Sequence, residues 1–557
     1  MNDFKLGTEF RLALDTDHET RMKSQELNVG YNAFQNTWEL IIRYNGDLER
    51  VSEEIGFTYT GLYNGYAIIQ INEADIDQLT EAMEIIFIDK PKNIYFERET
   101  KVDGFVESCM EFPGSTYGQL TGNGVYVAIL DSGIDFLHPD FIKEGGETRI
   151  ERFWDQEAEG NPPYQYPYGD EFIRGETEQN LLNNDRSGHG TAVASIVSSC
   201  VPDADLLIVK LRDSDTMGYT KTTSIMLAID YVVQVAMESF RPLVINLSYG
   251  NNYGDHDGNS ILEDYIDSIS NMTKISIVVA TGNDGNTSRH QTIFAQNDSV
   301  YQVNFQVASY ESGINLQIWH SYKDDLQITV VTPNGQILGP FSSYQPIAEY
   351  RLPDMKIMVI FGYPSPINQN QEIYFSFIPI DTYIQAGIYT IVISTQNIRD
   401  GRIDMWLPVA AGTSATVTFL QPDAFTSLTI PASAKSVISV GAYDQRTDTY
   451  ANFSGRGYTT SGSVKPELVA PGVMIPVASA GGGYQYMSGT SFAAPFVSAG
   501  VAMLMEWGII MGNDTYLYGE KIKAYLIKGA RRLYGVYVWP NEKLGYGALC
   551  VSNSIPK

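Results

Sequence analysis

The 557-residue sequence is poor in cysteine, in basic residues and in long apolar runs, and each shortage removes a class of function. Its three cysteines, Cys109, Cys200 and Cys550, form an odd, scattered set with no Cys or His partner at metal-ligand spacing. That excludes a disulfide scaffold and a zinc module and fits a reducing compartment, with the cysteines as small core residues and not catalytic thiols. Lys and Arg number 37 against 66 Asp and Glu, a net charge of -29. Such a surface repels nucleic acid and anionic lipid, so neither is expected as a partner. No run of about 18 uninterrupted apolar residues is available to span a membrane. The first residues, MNDFKLGTE, have neither the basic nor the apolar region of an export signal. A soluble protein without a standard signal peptide is the expectation. His138, His256, His290 and His320 sit at no ligand spacing, so no metal and no cofactor is expected.

What is present is ordinary globular composition, 43% hydrophobic and 18% charged, on a chain long enough for two or three domains. Residues 38–89 alternate between strand and helix periods. Trp38 to Tyr44 reads as a strand, Leu48, Val51 and Ile55 as one helix face, and 57–61 and 66–71 as strands around a Tyr63-Asn64-Gly65 turn. Asn72 can cap a helix with Ile76, Leu79 and Met83 inward, and 85–88 closes a β-α-β-β-α-β unit. Beyond it, 125–130, 206–211, 243–247 and 275–280 are continuous apolar runs, as in parallel strands buried on both faces. Helical spacing at 191–199 and 224–237 makes this a doubly wound α/β layer. From about 291 to 423 short alternating strands and turn signals such as Pro333-Asn334-Gly335 predict an inserted β-sandwich, after which 437–441 resumes the earlier style.

Three segments carry complementary chemistry. The first strand ends in Asp131-Ser-Gly-Ile-Asp, at the carboxyl edge where ligands of open α/β sheets gather. Ser187-Gly-His189-Gly-Thr opens a helix, and Gly489-Thr-Ser491-Phe-Ala-Ala-Pro495 opens another, with the proline read as lying in its first turn. A serine hydroxyl is a poor nucleophile until an imidazole accepts its proton, and the imidazole needs a carboxylate to fix its tautomer. Asp131 would orient, His189 would act as base and then acid, and Ser491 would attack. Thr281-Gly282-Asn283-Asp-Gly follows another strand at the same edge, so the Asn283 amide and the Ser491 backbone N–H are candidate oxyanion donors. Singly, each has a plain structural role: a loop-capping aspartate, a helix-terminal histidine, an N-cap serine, an Asn-Asp-Gly turn. Asp135 and Asp140 are read as holding the loop after Asp131 by hydrogen bonds.

Together, Asp131-Ser-Gly-Ile-Asp with His138-Pro-Asp-Phe, His189-Gly-Thr-Ala-Val-Ala, Ala280-Thr-Gly-Asn-Asp-Gly and Gly489-Thr-Ser-Phe-Ala-Ala-Pro resemble the signature segments of the subtilisin-like serine proteases, in that family's order. The likeness covers 120–290 and 425–550. It implies a subtilisin-like α/β fold, peptide-bond hydrolysis through an acyl-enzyme and a protein substrate. It further implies that Ser248, Tyr249 and Gly250, with Gly282, bind substrate backbone. The N-terminal unit resembles that family's propeptide, an intramolecular chaperone that occupies the cleft, with self-cleavage expected between about 94 and 101. The implied domains are 1–97 propeptide, 98–290 with 424–557 catalytic, and 291–423 inserted. A calcium loop known in many members is not expected, because Ser198 to Asp205 is short and offers few oxygen ligands despite Asp140. The inserted domain could take that loop's place as a clamp. The whole layout is similar to the clostridial spore-germination (Csp) proteases, implying limited activation of a cortex-lytic zymogen, in the cytoplasm or in spores. Two other functions fit the same residues. One is a propeptide-plugged regulatory or binding protein, disfavoured by the complete Asp-His-Ser set. The other is a carbohydrate-binding role for the insertion, disfavoured if Trp319 and Trp406 are core residues.

Overall fold

The computed structural model describes residues 2–96, 100–101, 120–143, 145–164, 166–175, 184–213, 219–272, 274–414 and 416–556. The chain divides into two compact units. One holds Met1–Asn93, Asn251–Ile261 and Asn286–Ser427; the other holds Ile94–Gly250, Leu262–Gly285 and Leu428–Lys557.

In the second unit the four apolar runs form Tyr126–Asp131, Asp205–Lys210, Leu243–Leu247 and Ile275–Ala280, every residue of which is buried. They are joined in parallel, with Ile438–Asp444 beyond Ile275–Ala280 and Leu468–Pro471 parallel to that strand in turn. This is the expected parallel sheet, and only strands covered on both faces can be this apolar. One further parallel strand, Ile150–Asp155, is absent from the expectation because its sequence, IERFWD, alternates charge with apolar bulk. Helix His189–Cys200 packs on helix Thr490–Met505, all sixteen residues of which are buried. The stretch Thr490–Ile510 is long and apolar enough to cross a membrane, yet 89% of its apolar 18-residue window is buried inside the protein, as befits a central core helix. Cys550 is buried and Cys200 partly so, and burial pushes the Cys200 thiol up to about 12, well away from a reactive thiolate. Cys109 lies outside the described residues.

The helix itself corrects one expectation. Pro495 stands inside Thr490–Met505 as its sixth residue, in the second turn and not the first. A proline there has no N–H to return to the carbonyl four residues earlier, which is that of Ser491. That carbonyl accepts instead from Ser248 Oγ at 3.4 Å. The irregularity therefore ties the start of the helix to the strand-end segment at 248.

In the first unit the expected β-α-β-β-α-β order is present. Thr37–Tyr44 is central, flanked by Ile85–Asp89 and Tyr66–Asn72, with Thr58–Leu62 outermost beyond the latter. Two N-terminal helices, Thr8–Asp15 and His18–Lys23, precede it and were not foreseen. Residues 290–419 form two antiparallel sheets, one of six strands and one of five, around a shared apolar core. The expected division kept residues 1–97 and 291–423 apart, whereas by compactness most of both belong to one unit. Met355–Phe361 shows why. Ile357, Val359 and Phe361 enter the core of the two sheets, while Met358 and Ile360 enter the core around Phe10, Trp38 and Ile69. Asn370–Pro379 repeats this with Ile373, Phe375 and Phe377 on one side and Tyr374 and Ile378 on the other. Strands apolar on both faces need two partners. Trp406 is buried, its ring stacked between those of His256 and His290 at 4.2 and 4.7 Å. Trp319 is only half-buried, its indole N–H donating to Gln317.

Beside that apolar seam lies a buried ionic cluster. Glu9 accepts from Lys92 at 3.1 Å and Gln317 at 3.3 Å and pairs with Lys90 at 3.4 Å. Burial pushes Glu372 up to about 8 and Asp89 up to about 6, against the lowering pull of Lys92 on each. Both acids bind protons more tightly folded than unfolded, so this unit gains stability below their unfolded pKa and loses it as pH rises through the folded values. Calorimetric midpoints should fall from about pH 5 to pH 8, at up to ~1.4 kcal/mol per pH unit for one group. Glu372→Gln should remove most of that slope; an unchanged slope would refute the assignment.

Candidate active site

The strand Tyr126–Asp131 delivers the Asp131 carboxylate, and the helix His189–Cys200 begins on His189 itself. Their side chains meet at 2.7 Å between His189 Nδ1 and Asp131 Oδ1, an oxygen that also accepts the Ser132 N–H at 2.8 Å. Asp131 is 0% exposed and His189 3%. In such a dry site a charge-assisted bond fixes the ring and leaves Nε2 as the nitrogen available for proton exchange. The close approach depends on Gly190, where a Cβ would stand 2.2 Å from the Gly133 carbonyl oxygen and 3.1 Å from Asp131 Cβ.

Asp185 builds the platform beneath. Its carboxylate accepts from Ser132 Oγ (2.7 Å), Ser187 Oγ (3.2 Å), Gly188 N (2.9 Å), Thr191 N (2.8 Å) and Thr191 Oγ1 (2.7 Å). An acid at a helix N-terminus satisfies open amides and complements the dipole, and the pattern Asp-x-x-Gly-His ahead of a helical run was the signal for it. Asp135 accepts from Gly481 N at 2.8 Å and Asp140 from Tyr484 Oη at 2.6 Å, so these two hold a distant hairpin as well as their own loop.

Ser491 is the second residue of Thr490–Met505, fully buried, its Oγ without a hydrogen-bond partner among the described residues. The His189 ring lies 5.7 Å from that of Phe492, the residue after Ser491. The structure thus brings Asp131 and His189 into direct contact and leaves the Ser491 hydroxyl unengaged, as is common before substrate draws such groups together. Asn283 Oδ1 accepts from Thr490 N at 2.9 Å and Thr490 Oγ1 at 3.1 Å. That orientation commits the oxygen to the helix and leaves the amide nitrogen as the donating side, 3.2 Å from where a Cβ at Gly489 would be. Gly282, just before it, takes a left-handed φ of 93°.

Of the expected substrate-contacting residues, Ser248 bonds to the Ser491 carbonyl, and Tyr249–Gly250 forms a short strand antiparallel to Asn93–Phe96, Tyr249 opposite Phe96 and Gly250 opposite Tyr95. Tyr219–Lys221 flanks Asn93–Phe96 on its other side. Burial, with Asp131 next in effect, pushes the Tyr249 phenol well above its ordinary value, so it stays neutral. Thr100–Lys101 pairs with the strand Tyr484–Ser488, which leads into Ser491. Residues 97–99, within the expected cleavage segment, lie outside the described residues. Among the described residues no group of three or more His, Cys, Asp or Glu is placed to hold a metal ion.

Comparison with known proteins identifies the family. Residues 4–92 match the Csp protease B prodomain, and residues 122–359 and 380–547 match the subtilase family. The Clostridium perfringens CspB protease structure is 33% identical with a TM-score of 0.73, covering 79% of this chain and 94% of that one. Fervidolysin from Fervidobacterium pennivorans, a keratinolytic enzyme related to subtilisin, shares the fold at 14% identity and a TM-score of 0.50, covering 96% of this chain and 63% of its own. The PIII-type proteinase of Lactococcus lactis subsp. cremoris (strain SK11) is 24% identical over 86% of this chain, which spans only 26% of that proteinase's length. The chain belongs to the subtilase family and carries a Csp-type prodomain at its N-terminal end.

Proposed function

We propose that the chain is a serine endopeptidase acting through an Asp131–His189–Ser491 triad. Ser491 Oγ attacks the peptide carbonyl while His189 Nε2 takes its proton; the same proton then leaves with the amine, and water repeats the sequence on the acyl-enzyme. Asn283 and the Ser491 N–H stabilise the oxyanion, and Ser248 to Gly250 with Gly282 carry the substrate backbone by β-pairing. The observation that carries this reading is the buried 2.7 Å Asp131–His189 contact beside an unengaged serine at the head of a buried helix.

The pairing of Asn93–Phe96 on one rail and Thr100–Lys101 on another supports self-cleavage between them, within the expected 94–101 window. The likeness to CspB supports limited proteolysis of a zymogen, such as a spore cortex-lytic precursor, as the biological task, in the cytoplasm or in the spore. A second reading, a regulator whose groove stays filled, takes its support from the same paired strand.

A fluorophosphonate probe separates the two. Covalent labelling at Ser491, lost in Ser491→Ala, is expected. Absence of labelling in protein whose N-terminal sequence shows the propeptide gone would favour the regulator.

A further inference from the structure

Next to His189, a cavity of about 410 Å³ opens between residues 184–188 and the hairpin of Ile475–Ala478 with Tyr484–Ser488. Asn184, Asp185, Arg186, Ser187, Ser479 and Gln485 line it. None of these belongs to the triad, the oxyanion donors or the backbone-binding segment.

Its position defines its role. The segment Asn93–Phe96 lies along Tyr249–Gly250, and the chain then continues to Thr100–Lys101, which lies along Tyr484–Ser488. On the proposed reading, the bond to be cut falls between these two stretches. Tyr484–Ser488 is therefore the rail for residues on the C-terminal side of that bond, and the cavity sits beside that rail. The hairpin turn, Gly481 to Gly483, is all left-handed, yet it is pinned: Gly481 N donates to Asp135 and the Gly483 carbonyl lies 2.9 Å from His138 Nε2. A fixed rail gives a fixed pocket.

Charge then selects the occupant. Asp185 turns both carboxylate oxygens onto five donors of its own platform, so it offers little acceptor capacity to the cavity. Arg186 is exposed and makes no hydrogen bond or ion pair among the described residues; its field reaches Asp213 more weakly than that of Lys210. The remaining lining supplies neutral amides and hydroxyls. In a chain of net charge -29, a guanidinium left open at a cavity rim is a local exception.

We propose that this cavity is a subsite for an acidic side chain, Asp or Glu, on the C-terminal side of the scissile bond. Arg186 supplies the planar fork that suits a carboxylate. The proposal rests on the endopeptidase reading above and names its substrate class.

The test uses matched peptides with Glu, Gln or Lys at each of the first three positions after the scissile bond, cleaved by the wild-type chain, Arg186→Gln and Arg186→Glu. The wild type should favour Glu over Lys at one of these positions by about tenfold in kcat/KM. Arg186→Gln should level the preference and Arg186→Glu reverse it. Each ratio is read within one protein, so a general loss of activity does not blur it. Equal ratios in all three proteins, with Ser491 still labelled by fluorophosphonate, would overturn the subsite alone. A wild type that neither cleaves peptides nor takes the label would overturn the endopeptidase reading and the subsite with it.

Discussion

Ser491→Ala should leave a chain that keeps its original N-terminus and cleaves peptides about 10⁶-fold more slowly, the scale of losing the nucleophile or base in triads of this family. His189→Ala should cost about the same, and the double variant no more, because the two act on one proton and one bond. Asp131→Asn should lose about 10⁴-fold, since an amide opposite Nδ1 favours the wrong tautomer while filling the same volume. N-terminal sequencing reports processing and single-turnover assays report chemistry. A Ser491→Ala chain that still loses residues 1 to about 97 when made alone would show that another protease does the cutting, and the triad assignment would lose its autocatalytic support.

The second large effect lies far from the triad. Met358, Ile360, Tyr374 and Ile378 belong to the core around Phe10 and Trp38 as well as to the strands Met355–Phe361 and Asn370–Pro379. Once residues 2–93 are cut from the remainder, this shared apolar seam and the Gln317–Glu9 hydrogen bond remain, so the severed piece should co-elute with the rest in size-exclusion chromatography. Ile360→Asp places an unpaired carboxylate in that seam at a cost of about 3–5 kcal/mol, which weakens retention by about 10²- to 10³-fold or more. Its neighbours Ile357 and Val359 point into the other core, so the two sheets of residues 290–419 keep their packing. Circular dichroism on the larger fragment checks that they do. A wild-type protein that sheds the N-terminal piece as readily as the variant would show that the seam contributes nothing to retention.

Much of this arrangement was legible in the residues. The runs at 125–130, 206–211, 243–247 and 275–280 can be satisfied only by strands covered twice, and they form the sheet. Asp131, His189 and Ser491 stood out because each lies at or within one residue of an element's end, near glycine, and Gly190 shows the reason in one case: no Cβ fits. Other features were less visible. Asp185 acts through five short hydrogen bonds to groups spread over 60 positions of chain or fewer, a pattern that no spacing rule records. The role of Pro495 depends on which carbonyl it fails to meet, which requires the helix start to be known to one residue. The two-sided burial of Met355–Phe361 was hidden because apolar residues on both faces look alike whichever neighbour covers them. Arg186 is an ordinary arginine in sequence and stands out only once its lack of a partner among the described residues is seen.

The strand Asn93–Phe96 has a kinetic consequence. It lies paired along Tyr249–Gly250, so on the self-cleavage proposed above the first cut of each molecule needs no encounter with another. Its half-time is a property of the single molecule and is indifferent to dilution, whereas every later, foreign target must wait its turn for a groove that the molecule's own tail was the first to fill.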